Sequence, residues 1–195
     1  MGRTLPSIPE VSYTDSMRTI TLITGNAKKL REWQRQIPDN IDLSHHDADL
    51  VEIQGSPTEI VTHKLHQAYE LVDGPVVVED VSLGLRKLHG LPGPYVKHFI
   101  AAMGDDALTT LVGDGDPTAE ASCTVGYYDG SHEIIVTGTL QGSIVPRRGE
   151  GFGFDPVFMP VGESLTFAEM TPEQKDAISH RHLAINKLLK QLAEL

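Results

Sequence analysis

Glu79 and Asp80 are neighbouring carboxylates that directly follow three valines, Val76 to Val78. Such a run reads as a short buried strand closed by the acids, and in open α/β sheets ligands collect outside the carboxyl ends of strands. Two acids there suit a hard cation, because Mg²⁺ binds one or two carboxylates together with substrate phosphates. Glu52 lies in apolar company in Leu50-Val51-Glu52-Ile53. Read alone, each of these acids is equally a solvated loop charge or a cap. The stretch Thr24-Gly25-Asn26-Ala27-Lys28-Lys29 offers the complementary chemistry. Backbone N–H groups at a helix start attract phosphate, Gly25 allows close approach, Asn26 can donate and Lys29 can swing over an anion. An ordinary strand-to-helix turn with solvated lysines has the same composition. It is not a Walker A loop, since Gly-x-x-x-x-Gly-Lys-Ser/Thr is absent.

Lys64, Lys97 and Lys175 each lie in a helical stretch and singly read as surface lysines with buried stems. They matter together. The chain carries a formal net charge of −11, so a polyanionic substrate requires cations gathered locally, or a metal. Gly151-Phe152-Gly153-Phe154-Asp155-Pro156 combines small residues, two aromatic faces and an acid. That suits a pocket that stacks a base and bonds its edge; a glycine-rich turn with core aromatics is the other reading. Ser179-His180-Arg181-His182 is a helix cap followed by charge. The nine histidines include His45-His46 and His180/His182, but none has zinc-binding spacing with cysteine. Cys123, the single cysteine, sits in an apolar strand-like stretch and reads as a small buried hydrophobe.

The elements that must position these groups follow from periodicity. A strand over Thr19 to Thr24 runs into a helix from Ala27 to Ile37, with Leu30, Trp33 and Ile37 on one face. A short strand is expected near Ile41 to Ser44. Ser56, Pro57 and Glu59 form a capping-box start for a helix that ends at Asp73-Gly74. Helices are expected over Tyr95 to Met103 and Asp105 to Val112. Strands Ala119 to Tyr128 and Glu133 to Val145 join at Asp129-Gly130, a hairpin signal. Gly138 and Gly142 point to bulges or bends in the second strand. Thr171-Pro172-Glu173-Gln174 repeats the capping box, and Ser179 caps a last helix carrying Leu183, Ile185, Leu188, Leu189 and Leu192. Strands and helices alternate, then a hairpin, then helices: an α/β fold with a mixed sheet.

At 195 residues the chain is expected to form one domain over residues 18–195, behind an extension over residues 1–17 that is polar, Pro-containing and without an apolar signal core. No run of about 18 apolar residues exists, so no membrane span is expected. The acidic balance argues against nucleic-acid binding, which rests on clustered Lys and Arg. One cysteine and no targeting signal fit a reducing, cytoplasmic setting.

Five of these segments stand together in a known order. Thr24 to Lys29, Glu79-Asp80, Gly90-Leu91-Pro92-Gly93-Pro94-Tyr95, Gly151 to Pro156 and Ser179-His180-Arg181 resemble the inosine triphosphate pyrophosphatase family, and the resemblance runs from about Thr19 to Leu192. Gln54-Gly55 and Glu169-Met170 look most like its eukaryotic branch. The resemblance implies an elongated α/β protein with a central mixed sheet, flanking helices, and two lobes around a cleft. It implies a homodimer, dependence on Mg²⁺ with Mn²⁺ as substitute, and hydrolysis of non-canonical purine nucleoside triphosphates (those of inosine, deoxyinosine and xanthosine) to monophosphate and pyrophosphate. By motif position, Thr24, Gly25, Asn26 and Lys29 resemble the triphosphate turn, and Glu52 and Asp80 the metal and catalytic acids. Lys64 and Lys97 match lysines near the polyphosphate. Phe152, Gly153, Phe154 and Asp155 match the base-binding stretch, and Lys175, His180 and Arg181 the residues that close over the base. Phe154 stands where relatives often carry Trp or Tyr, and residues 1–17 have no counterpart. The alternatives are a house-cleaning pyrophosphatase for other modified nucleotides, or a nucleotide-binding protein that does not hydrolyse.

Overall fold

Apolar side chains alternating with threonines form β1 (Arg18–Ile23), with Ile20 and Leu22 buried. The computed structural model describes residues 18–195, so the expected extension over residues 1–17 lies outside the described residues. After β1 come α1 (Ala27–Gln36), β2 (Ile41–His46), α2 (Pro57–Leu71), β3 (Val76–Leu85), a 3₁₀ turn, β4 (Pro92–Gly93), α3 (Val96–Met103) and α4 (Ala107–Val112). The remainder is β5 (Thr118–Tyr128), β6 (Glu133–Ile144), β7 (Phe158–Pro160), α5 (Pro172–Ile178) and α6 (His180–Leu192). Both capping boxes form, Ser56 with Glu59 and Thr171 with Gln174, and Ser179 caps α6 through the His182 N–H. Among the described residues no helix is long and apolar enough to cross a membrane.

The strands make one mixed sheet in the order β2-β1-β3-β5-β6-β7, with β4 also on β3. This is the expected α/β class. β1 is parallel to β2 and β3, whereas β3, β5, β6 and β7 pair antiparallel. The strand expected to stop at Glu79-Asp80 instead continues to Leu85, because β5 pairs with it from Val76 through Leu85. Among the described residues its other edge is covered only at the ends, by β1 at Val76 and Val77 and by β4 at Leu83 and Gly84. Between these partners the edge of β3 is open, and both acids lie in that gap.

Strand pleating sends successive side chains to opposite faces. Val76 and Val78 pack with Val61, Leu65 and Ala68 of α2. Val77 packs on the other face with Trp33 of α1 and with Ala184, Ile185 and Leu188 of α6. Asp80 therefore belongs to the α2 face and Glu79 to the α1/α6 face. A separate apolar cluster, including Leu83, Val96, Leu108, Phe154 and Phe158, fills the far end of the sheet.

Of the bulges or bends expected at Gly138 and Gly142, bulges do not occur, since β6 pairs with β5 without interruption from Glu133 to Ser143. These glycines serve close approach instead. A Cβ on Gly138 would stand 2.3 Å from the His180 carbonyl oxygen and 2.4 Å from the Ala184 nitrogen, so the start of α6 lies directly on β6. Gly138→Ala is expected to destabilise the protein by about 1–3 kcal/mol, the scale of overpacking, and to push His180 and Arg181 outward. Thermal unfolding checks this; an unchanged midpoint would place α6 elsewhere.

Candidate active site

The gap in the sheet opens into a cleft of about 1050 Å³, at the upper end of the roughly 300–1,000 Å³ usual for ligand pockets. Its walls are the β1–α1 turn, the Ala48-to-Glu52 loop, α3, the Phe152-to-Asp155 segment, and the residues where α5 meets α6; β3 forms its floor. Every site residue expected from sequence lines this one cleft, Lys97 on α3 among them.

On the α2 face, Lys64 sits between the two acids. Its Nζ donates to Glu52 Oε1 at 3.3 Å and to the Glu79 carbonyl at 3.1 Å, and lies 3.6 Å from Asp80 Oδ1. Asp80 is buried, and its Oδ2 has no partner among the described residues. The two carboxylates have opposite electrostatic settings. Burial pushes the Asp80 carboxyl up; Lys64 and Lys29 oppose this, and Glu52 and Glu79 add to it. For Glu52, burial works against ionisation, but Lys64, Lys97 and Lys29 outweigh it and hold the carboxyl below its usual range.

On the opposite face, Glu79 is enclosed. Its Oε2 accepts from the Trp33 indole at 2.7 Å and from Arg181 Nε at 2.8 Å. Its Oε1 accepts from Arg181 Nη2 at 2.7 Å and lies 3.1 Å from Lys29 Nζ. Burial opposes the charge, yet Arg181 and Lys29 keep Glu79 well below the ordinary carboxylate range. The sequence suggested that Glu79 and Asp80 hold one cation together. The strand corrects this, because the two side chains leave β3 on opposite faces and Glu79 is already paired.

The ion-pair chain continues. Arg181 Nη1 bonds Glu32, Glu32 accepts from Lys175 at 3.0 Å, and Lys175 reaches Asp155 at 2.7 Å. Arg181 is buried, and two of its five N–H groups are uncommitted among the described residues. Burial raises the Asp155 carboxyl against the pull of Lys175. Phe152 is half-buried, with the Lys28 ammonium 4.6 Å from its ring centre, whereas Phe154 is buried against Phe158 and His180. Phe152, which also has the Lys175 ammonium 5.5 Å from its ring centre, is the more exposed aromatic of the pair, and Phe154 anchors the segment. Gly153 between them has φ +58, a left-handed backbone that favours glycine.

At the β1–α1 turn, Asn26 spends its side-chain oxygen as the cap of α1, accepting from the Lys28 and Lys29 N–H groups at 2.9 and 3.3 Å. Its amide N–H groups have no partner among the described residues and can meet an anion. Thr24 Oγ1 accepts from the Asn26 N–H, and Gly25 completes the turn. Sequence reasoning missed Glu32 and Trp33 as site residues, although both fix cleft side chains. Cys123, read from sequence as a small buried hydrophobe, is buried. Burial, with the nearby Glu79 charge, pushes its thiol well up.

His180 is buried between Phe154 and Phe167, and its Nδ1 has no partner among the described residues. Burial, with Arg181 and Lys175 adding to it, holds the ring well below its usual protonation range. The unfolded chain takes up this proton near pH 6.5 and the folded chain only at lower pH. Stability from His180 is therefore present above about pH 6.5 and is lost as pH falls below it toward the folded value. Acid unfolding of His180→Asn should show a weaker pH dependence in that window than the parent; identical curves would remove His180 from the account.

Among the described residues no three His, Cys, Asp or Glu side chains are grouped to hold a metal ion. Glu52 and Asp80 nevertheless fit a hard divalent cation, given the unpartnered buried Oδ2 and a donor set that substrate phosphates complete.

The chain as a whole resembles known proteins. The Ham1 family profile matches residues 20–191. The inosine triphosphate pyrophosphatase of Schizosaccharomyces pombe is 44% identical over 176 residues, which cover 88% of this chain and 94% of that protein. That of Yarrowia lipolytica is 44% identical over 181 residues, covering 90% and 96%. A HAM1 protein from Coxiella burnetii superimposes with a TM-score of 0.79 at 26% identity, covering 92% of this chain and all of that one. A nucleoside-triphosphatase, or dITP/XTP pyrophosphatase, from Mycobacterium abscessus gives 0.67 at 29% identity, covering 88% and 98%. On sequence and fold alike, this chain belongs to the Ham1 family.

Proposed function

We propose that this protein hydrolyses non-canonical purine nucleoside triphosphates, those of inosine, deoxyinosine and xanthosine, to the monophosphate and pyrophosphate, and so cleanses nucleotide pools. The observation that carries this is the division of one cleft by β3. A carboxylate pair with Lys64 lies on one side, and an aromatic face with buried donors lies on the other. The names of the relatives at 44% identity support the same reading.

In this reading residues 18–195 form the catalytic domain, working as a homodimer in the cytoplasm. The triphosphate lies along Thr24, Gly25, Asn26 and Lys29, and Lys64 and Lys97 offset its charge. Glu52 and Asp80 would hold Mg²⁺, or Mn²⁺ in its place, which supplies charge neutralisation at the phosphates. Asp80, whose buried Oδ2 is unpartnered among the described residues, takes the proton of the attacking water, and Glu52 acts as a ligand. The lysines stabilise charge on the departing pyrophosphate. Phe152 stacks the base. The free Arg181 N–H groups meet the 6-oxo group of hypoxanthine or xanthine and oppose the 6-amino group of adenine, donor against donor.

The test is product analysis with inosine triphosphate, ATP and GTP, with and without Mg²⁺. Monophosphate and pyrophosphate from inosine triphosphate, only with metal and with little ATP turnover, are expected. Release of inorganic phosphate, or equal turnover of ATP, would overturn the reading.

A further inference from the structure

The proposed reaction uses Asp80, Glu52 and the lysines but gives no task to Glu79, although Trp33, Arg181 and Lys29 all converge on its carboxylate. That carboxylate is almost wholly buried, whereas the Lys29 side chain is 20% exposed at the mouth of the phosphate turn. Lys29 is thus tethered by its charged end, 3.1 Å from Glu79 Oε1, beside the place where an anion is to lie. Seen from a phosphate oxygen, the positive charge of Lys29 is largely cancelled by the negative charge behind it. Coulomb attraction then favours an anion of high charge, which can compete with a buried carboxylate, over one of low charge.

We propose that Glu79 is a positioning residue that holds Lys29 in reserve, so that the intact triphosphate draws the lysine across the cleft while the separated products surrender it again. This rests on the reading of Lys29 as a phosphate ligand. Glu79 is reached from both ends of the cleft: Lys29 comes from the phosphate turn, and Arg181 from the base side. When Lys29 leaves, Arg181 remains as the cation on Glu79, and its bidentate geometry holds the carboxylate in place. After cleavage each product carries less charge than the substrate, and the return of Lys29 to Glu79 favours release.

The test uses inorganic pyrophosphate as the probe, at one fixed Mg²⁺ concentration. Glu79→Gln removes the competing charge, so pyrophosphate should bind tighter by up to about 5-fold, the factor set by a modest change in a partly exposed ion pair. It should also inhibit turnover more strongly, with KM for the triphosphate unchanged or lowered. A merely structural role would weaken pyrophosphate binding, and weakened or unchanged binding overturns the proposal. Should Glu79→Gln not fold, the parent protein supplies a second measurement. Trp33 is the single tryptophan, and its indole shares Glu79 with Lys29. Saturating inorganic tripolyphosphate, which carries the charge of the intact triphosphate chain, should shift its emission in the parent and leave it unmoved in Lys29→Ala. Unmoved emission in the parent, or an equal shift in Lys29→Ala, overturns the proposal. Pyrophosphate binding is read without turnover, so absence of inosine triphosphate hydrolysis would defeat the proposed function and leave this result standing.

Discussion

Replacing Asp80 by asparagine is expected to lower turnover of inosine triphosphate by at least ~10²-fold, the scale of a lost general base or charge stabiliser. Asparagine keeps the shape and removes the charge and the basicity. The fold should survive. Burial favours the neutral carboxyl at this position, so in the metal-free protein ionised Asp80 is a cost to stability. The sign follows from linkage. A carboxyl whose folded-state pKa is raised favours the fold below its unfolded pKa, and that advantage is lost as pH rises through the folded value. Asp80→Asn should therefore melt at or above the parent temperature at neutral pH and no longer lose stability across that window. Near-parent turnover would remove Asp80 from the chemistry, and a collapsed melting temperature would mean that Asp80 serves structure instead.

The second large effect is expected at Arg181. Its guanidinium neutralises Glu79 and Glu32, both buried. Arg181→Ala leaves two buried carboxylates without their shared cation. Breaking a buried pair in this way costs about 3–5 kcal/mol, because uncompensated charge remains. In a protein of this size that lowers the melting temperature by roughly 6–20 °C. Adding Glu32→Gln to Arg181→Ala should recover part of the loss, since one stranded charge goes. Activity, measured well below the new midpoint, should show the chemical role as well. Sites built on buried donors reject a mismatched partner by up to ~10⁴-fold, so inosine triphosphate turnover should fall steeply while ATP turnover stays nearly level. Equal slowing of both substrates would confine Arg181 to structure, and an unchanged melting temperature would deny the ion-pair chain.

The helix starts were legible because their signals are local. Ser56 with Glu59, Thr171 with Gln174, and Ser179 each satisfy backbone donors within four residues. Most of the cleft residues were legible only through the family resemblance, with Thr24 to Lys29 and Ser179 to Arg181 marked as well by their helix starts. The length of β3 was not. Two adjacent acids interrupt its apolar run, and strand propensity is low for acids; only the partner β5, some forty residues away, keeps the chain extended to Leu85. Glu32 was hidden for a related reason. It follows Lys28 at helical i,i+4 spacing, which reads as an exposed pair on a lysine-rich helix. Its actual partners, Lys175 and Arg181, come from the last two helices and meet it only in the folded chain. The glycines of β6 misled because close approach to a helix leaves the same mark in sequence as a bulge.

The placement of Glu79 and Asp80 on opposite sides of one strand makes the protein sensitive to an error of alignment. A slip of β3 by a single position would turn the acid that serves Lys64 toward Arg181 and the acid that serves Arg181 toward Lys64, because every side chain of a slipped strand changes face. The two carboxylates are chemically alike, so the error would leave charge and composition untouched and still dismantle both halves of the cleft. The ten consecutive partners that β5 supplies between Val76 and Leu85 guard against it, acting as a long ruler where a shorter pairing would tolerate the shift. The long hairpin, which contributes few side chains to the cleft, thus serves the chemistry by keeping count.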